Sequence, residues 1–281
     1  MASLPALARA LARYVALHAG SVERAPVMTP PDVKPRVVVS LTTIPSRLTR
    51  LRPTLNSLLT QDYQPTAIYL AVPSQSMREQ KPYQMPEWLP EYPAVTVIDC
   101  ERDWGPASKL LPTLLAERER PDTMIIVVDD DNVYPPEMVG TFVQFSQRLP
   151  DAALCFRGHV VSGGWKESRA VFGTRVSAPT RMDIVTGCGG VLVKPRFFDG
   201  AVFDYDGAPP SAFFVDDIWI SGHLARRGVR RYLIPSPAAF VYLGTLTTWW
   251  TPGLDKDANG RGSRHNDVML DHFRSSWGVT G

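Results

Sequence analysis

At 281 residues the chain is long enough for one large domain or two small ones. Its 44% hydrophobic and 21% charged residues describe a globular core, and no stretch approaches the ~20 apolar residues needed to span a bilayer. A net charge of +2 is too small to argue for nucleic acid. The three distant cysteines, Cys100, Cys155 and Cys188, argue against a disulfide framework or a zinc site and favour a reducing compartment.

Met1 to about Ala19 is rich in Ala and Leu and reads as a helix, with Leu4, Leu7, Leu11, Tyr14 and Val15 on one face. Arg9 and Arg13 interrupt the apolar run, which argues against a signal peptide. The helix either packs on its own domain or meets a partner or a membrane surface. Val22 to Lys34 contains three prolines and reads as a linker. Arg36–Leu41 is the first core strand, followed by the loop Thr42-Thr43-Ile44-Pro45-Ser46-Arg47 and a helix through Leu51, Leu55, Leu58 and Leu59. Strands are expected at Ala67–Val72 and Val95–Ile98, with an irregular surface excursion at Lys81–Pro93 between them. A turn at Asp103-Trp104-Gly105-Pro106 leads into a helix from about Ala107 to Glu119.

The centre of the chain is Met124–Pro136. Five apolar residues, Met124 to Val128, run into Asp129, Asp130 and Asp131, and Pro135 and Pro136 forbid continuation of the strand. A short, β-branched, wholly apolar run is a strand buried on both faces, as in a parallel sheet. The acids therefore sit at its carboxyl end, where open α/β sheets bind ligands. Three adjacent carboxylates repel one another, and a divalent cation relieves that repulsion.

The second half is less regular. A helix is expected near Glu137–Arg148, then strands at Ala153–Arg157, Ile184–Thr186 and Val191–Val193, with Gly187-Cys188-Gly189-Gly190 as a backbone open to close approach. Phe213-Phe214-Val215 ends in Asp216 and Asp217, and the helix after them closes at Arg226-Arg227-Gly228. Arg231–Ile234 is the last strand, and a short helix is expected near Asn266–Phe273. The β-α-β-β-α-β-α order of the first half is that of a wound α/β sheet.

These pieces, in this order, resemble nucleotide-sugar-dependent glycosyltransferases of the GT-A type, in particular exostosin-like enzymes and bacterial capsule or lipopolysaccharide transferases with a DDD form of the DxD motif. The resemblance runs from about Arg36 to Pro235. Four motifs carry it: the strand with Thr42–Arg47, Asp103-x-Gly105-Pro106-x-x-Lys109, Asp129-Asp130-Asp131, and Gly187-x-Gly189-Gly190 followed by Asp216-Asp217. It implies an α/β, Rossmann-like wound mixed sheet flanked by helices. The expected division is an N-terminal helix and linker at 1–35, a GT-A-like domain at 36–244 and a C-terminal flap at 245–281.

By the same resemblance the donor is a nucleotide sugar, and a divalent metal, manganese with magnesium as substitute, bridges its pyrophosphate. Asp129 and Asp131 would hold the metal, with His265 completing its shell. Thr42, Thr43, Arg47, Asp103, Lys109 and Asp130 would hold the nucleotide and donor. Asp216 or Asp217 would take the acceptor proton or position the acceptor; as a plain helix start, either would serve as cap and dipole partner. Trp249 and Trp250 would stack on sugar as a lid or pack as ordinary core. Asp255–Arg264, with almost nothing apolar between anchors, reads as a segment unable to hold itself ordered, so Gly260–His265 is expected to be a mobile flap, with Arg261 and Arg264 near the pyrophosphate. The acceptor would be a saccharide or glycolipid, with the enzyme cytoplasmic and peripheral at the inner face of a membrane. The Asp-Asp at the late motif departs from the Glu-Asp of inverting relatives, which leaves the stereochemistry open.

Three rivals stand beside this reading. Asp129-x-Asp131-x-Val133 fits the start of haloacid-dehalogenase-like phosphatases, where the first Asp is the nucleophile, although over a hundred residues precede it here. A sugar nucleotidyltransferase would want a glycine-rich loop after the first strand, and Thr42–Arg47 has no glycine. A non-catalytic sugar-binding relative would be separated from an enzyme by slow metal-dependent hydrolysis of a nucleotide sugar.

Overall fold

The computed structural model describes residues 4–19, 35–237, 243–244 and 261–277. The linker expected at Val22–Lys34, Trp249, Trp250 and Gly260 lie outside the described residues. In chain order these form α1 (Leu4–His18), β1 (Val37–Thr42), α2 (Pro45–Leu48), α3 (Arg52–Leu59), β2 (Ala67–Pro73), the short pair β3 (Gln75–Ser76) and β4 (Lys81–Pro82), and β5 (Val95–Cys100). Then come α4 (Leu111–Ala116), β6 (Met124–Val127), β7 (Asn132–Val133), α5 (Met138–Arg148), β8 (Ala152–Cys155), β9 (Arg157–Val160) and β10 (Arg169–Phe172). The chain continues through β11 (Thr180–Arg181), β12 (Ile184–Val185), β13 (Val191–Val193), α6 (Asp216–Arg226), β14 (Arg230–Leu233), β15 (Leu243–Gly244) and α7 (Arg261–His272).

Eight strands make one sheet in the order β11-β14-β8-β13-β6-β1-β2-β5. The block β5-β2-β1-β6 is parallel throughout, and β13 enters antiparallel between β6 and β8. This is the wound mixed sheet that the resemblance implied. The winding reverses direction between β1 and β6, and such a reversal leaves a crevice at the carboxyl ends of the strands. A second sheet, β10-β9-β12, stands beside it.

Alternation along the central strands builds a core on each face of the sheet. Val37, Val39, Leu41, Met124, Ile126 and Val128 pack on one side with Leu55, Leu58, Met138 and Phe142 of α3 and α5. Val38, Ile125 and Val127 pack on the other with Leu110, Leu111, Ile218 and Trp219. Burying each such side chain contributes about 1.5–3 kcal/mol, which explains why β1 and β6 read as unbroken apolar runs.

Several elements differ from expectation for identifiable reasons. The helix expected over Ala107–Glu119 is split into a 3₁₀ turn at Gly105–Lys109 and α4. Prolines at 106 and 112 each open one piece, as first-turn positions allow. Ala153–Arg157 is two strands, β8 and β9, which join different sheets. The apolar run before Asp216 is a 3₁₀ turn, Pro210–Phe214, and both acids begin α6.

The face assigned to α1 also differs. Leu11 and Val15 are 58% and 60% exposed, while Leu17 is buried. Arg13 points inward, giving hydrogen bonds to the Tyr134 carbonyl at 2.8 Å and Thr60 Oγ1 at 3.0 Å. Asn56 of α3 donates to the Leu17 carbonyl at 2.9 Å, so α1 docks by polar contacts as well as apolar ones. The segment Arg261–His265 begins α7, and Met269 of that helix and Phe273 just after it are fully buried. Gly222 of α6 makes room for that packing: a Cβ there would overlap the Phe273 ring. Among the described residues no helix is long and apolar enough to cross a membrane.

Candidate active site

The strands bring two groups of acids to the carboxyl end of the sheet. β6 delivers Asp129–Asp131, and α6 begins with Asp216 and Asp217. Lys109, at the end of its 3₁₀ turn, lies between them. Its Nζ is 2.6 Å from Asp129 Oδ1 and 2.8 Å from Asp216 Oδ2, and only 6% of the residue is exposed. Burial disfavours the ammonium, but Asp129, Asp216 and Asp217 outweigh it and push its pKa well up.

The second grouping surrounds Asp130. Arg47 Nη1 is 2.9 Å from Asp130 Oδ1 and 3.2 Å from Asp131 Oδ2. Thr43 Oγ1 donates to Asp130 Oδ2 at 2.6 Å, and Thr54 Oγ1 donates to the Asp130 carbonyl at 2.9 Å. Asn132 Nδ2 donates to Asp131 Oδ1 at 3.0 Å. Asp131 nevertheless has its carboxyl pushed up to about 7, by burial first and then by Asp130 and Asp129, against Arg47 and Lys109.

Asp217 accepts a hydrogen bond from the Gly187 amide at 2.9 Å. Its carboxyl is also pushed up to about 7, by burial first and then by Asp216, with Lys109 opposing. Gly187 opens the 3₁₀ turn that follows β12 and passes the acids: a Cβ there would lie 2.7 Å from Lys109 Nζ and 3.2 Å from Asp129 Oδ1. Only glycine lets the backbone approach that closely.

Not every expected residue joins these groups. Thr42 Oγ1 donates to the Ala71 carbonyl at 2.7 Å and so ties β1 to β2. Asp103 closes its own turn, accepting from the Gly105 and Met77 amides at 2.7 Å each, with Gly105 in the left-handed region at φ 60°. His265 Nδ1 is 2.8 Å from Ser211 Oγ, and its ring stacks on Phe214 at 5.1 Å. Among the described residues its contacts are with Ser211 and Phe214 rather than Asp129 or Asp131, and no three His, Cys, Asp or Glu side chains converge as a metal cluster.

Three further residues shape the site. Tyr134 has its hydroxyl 2.8 Å from the Asp129 amide and 3.2 Å from the Asp129 carbonyl, which ties the acidic turn closed. The string Asn-Val-Tyr-Pro-Pro was the available signal for it. Tyr83 donates to the Thr43 carbonyl at 2.9 Å. Arg78 lies within range of Arg47 and Asp130; burial first, then Arg47, lowers its pKa. Nothing in its polar local sequence marks it.

A cation of the hard class fits the donors present. Asp129 and Asp131 offer only carboxylate oxygens, and their side chains remain 28% and 21% exposed. Among the described residues, the three acids of the turn and the two of α6 face only Lys109 and Arg47 in ion pairs.

No family model matches the chain, and no curated protein matches it significantly in sequence. Its structure is similar to the 1–349 portion of TarS from S. aureus at 16% identity and a TM-score of 0.45, over 72% of this chain and 59% of that one. It is also similar to the mannosyltransferase PcManGT from Pyrobaculum calidifontis, solved with GDP-Man and Mn2+, at 17% identity and a TM-score of 0.46, over 83% of this chain and 64% of that one. The chain thus spans less than two thirds of either structure's length.

Proposed function

We propose that this protein is a metal-dependent glycosyltransferase that moves a sugar from a nucleoside-diphosphate sugar to a saccharide or glycolipid acceptor in surface-polysaccharide assembly. The observation that carries this reading is the bridge made by Lys109 between Asp129 and Asp216. It gathers the acids of a central strand end and those of a later helix into one place at the mouth of the sheet. A pair of acid groups so placed supplies one for the donor and one for the acceptor.

Asp129 and Asp131 would hold the divalent ion, which when bound stabilises the leaving diphosphate as a Lewis acid. Asp130, committed to Arg47 and Thr43, holds the turn in place rather than serving as a ligand. The reading leaves His265 with Ser211. Asp217 is the base we assign. Its carboxyl, at about 7, is matched to accepting a proton from the acceptor hydroxyl near neutral pH, whereas Asp216 is committed to Lys109. The reading includes a cytoplasmic location, with the exposed Leu11 and Val15 of α1 as the contact to the inner membrane surface.

A thermal-shift screen of nucleotides and nucleotide sugars with manganese tests this. A nucleotide at 100 times its Kd should add about 2.7 kcal/mol. Asp131→Ala should remove the manganese-dependent part of that gain, and Asp217→Asn should lower turnover about 100-fold while donor binding persists. Unchanged metal-dependent affinity in a folded Asp131→Ala protein would sink the assignment.

A further inference from the structure

The sheet β10-β9-β12 carries a charge that the acid cluster does not use. Between residues 157 and 181 lie Arg157, Lys166, Arg169, Arg175 and Arg181 against a single acid, Glu167. That segment is net +4 in a chain of net +2. All but Arg157 are exposed, and none of the five makes an ion pair among the described residues.

Two of these cations lie against one ring. The guanidinium of Arg157 lies 5.5 Å from the centroid of Phe172, and that of Arg175 lies 5.6 Å from the same centroid. Register explains half of this, because Phe172 of β10 sits directly opposite Arg157 of β9. Like charges drawn to one ring repel, and the ring's own attraction offsets about 0.5–1 kcal/mol at such a site. Arg157 Nε is buried with no hydrogen-bond partner. The guanidinium also reaches the Cys188 thiol, so only its buried Nε edge is left without an acceptor, and the rest of the group is the part a ligand can meet.

The patch adjoins the proposed base. The Arg157 carbonyl accepts from both the amide and the hydroxyl of Thr186 at 3.1 Å, and the next residue, Gly187, donates to Asp217. Aromatic surface accompanies the charge: Trp165 stacks on His159 of β9 at 4.7 Å, and both Trp165 and Phe172 are half-buried. Stacked rings interleaved with arginines suit a sugar bearing anionic groups better than a neutral one.

We infer that this face receives the acceptor and that the acceptor is an acidic saccharide, its carboxylate or phosphate groups held between Arg157 and Arg175. The inference rests on the transferase reading for the word acceptor, but the surface can be tested without it. Immobilised oligosaccharides of three kinds, uronate-bearing, phosphate-bearing and neutral, are the probes, with the whole protein at low and at physiological salt. Retention of an acidic kind over the neutral one, weakened by salt, is expected. Arg157→Gln with Arg175→Gln should reduce it about tenfold or more, since each charge-assisted contact is a strong one. Arg175→Glu, at an exposed position, is the variant that tests the surface should the double substitution not fold; it should lose retention similarly. The two acidic arms decide between carboxylate and phosphate. Equal retention of neutral and acidic probes, or variants that retain them as wild type does, would overturn the inference. So would variant-sensitive binding to phosphatidylglycerol vesicles without retention of either acidic probe. Nucleotide binding is measured on the same preparations: its absence in the wild type would sink the transferase reading, whereas the saccharide arms report on this face alone.

Discussion

Asp130 and Asp217 are both acids at the mouth of one sheet, yet they are held differently. Asp130, on the parallel side, receives Arg47 and Thr43 on its carboxylate and Thr54 on its carbonyl. Asp217, on the mixed side, receives one backbone amide, and the nearest ammonium is committed to Asp129 and Asp216. The first arrangement fixes a turn. The second is buried beside Asp216 with less to offset it, so burial first and then Asp216 push its carboxyl up to about 7; burial and its neighbouring acids do the same to Asp131 despite Arg47 at 3.2 Å. Capacity for a proton near neutral pH lies with the two carboxyls that burial raises, Asp217 and Asp131.

The comparison can be broken most sharply at the two cations. Lys109→Met keeps the side-chain stem and leaves Asp129 and Asp216 facing each other unneutralised. Removing one partner of a buried pair costs about 3–5 kcal/mol, read from the urea midpoint. Arg47→Met should cost clearly less, because Thr43 still donates to Asp130. Equal losses would mean that the two sides are not built differently.

The next largest effect is the histidine share of the acid response. His223 of α6 is 2% exposed, with its pKa lowered to about 4, by burial first and then by Arg226 and His272, with Asp199 and Asp204 opposing. His159 of β9 is likewise lowered to about 4. The unfolded chain, with an ordinary histidine near 6.5, binds protons that the folded one refuses between these values. The stability from His223 is therefore complete above about 6.5 and is lost as pH falls toward 4, by about 2 kcal/mol at pH 5. Asp131 and Asp217, raised to about 7, carry the opposite sign over the same window, so the check is the difference in denaturation between wild type and His223→Gln: wild type should lose about 2 kcal/mol more between pH 7.5 and 5. The smallest effect is expected on the fully bonded side. Thr43→Val removes one hydrogen bond to a charged acceptor that Arg47 still serves, for about 1.5 kcal/mol in the same assay.

How much of this was legible follows from what sequence patterns report. β1 and β6 were visible because strands buried on both faces are apolar at every position, and Asp129–Asp131 followed as their end. Gly228 at the close of α6 was visible for a similar local reason, its φ of 69° suiting glycine. The docking face of α1 was not, because hydrophobic periodicity has no way to weigh Arg13, whose value lies in carbonyls over forty residues away. Lys109 and Asp216 are each marked in the sequence, but their pairing is not, since an ion pair between distant residues leaves no local trace. Asp103 was placed near a ligand on motif order, and the structure has it closing the turn at Gly105.

The insertion of β13 between β6 and β8 has a consequence for how the chain is made. β6 finds β1 already synthesised, but its other neighbour begins only at Val191, about 60 residues after Val127. At ribosomal rates of about 5–20 residues per second, the edge Met-Ile-Ile-Val waits several seconds with its amides and carbonyls unpaired. Exposed apolar edges of this kind recruit other nascent chains. The acids that end the strand are therefore also its gatekeepers during that wait, and chains halted near Leu149 should collect with the insoluble fraction while full-length chains do not.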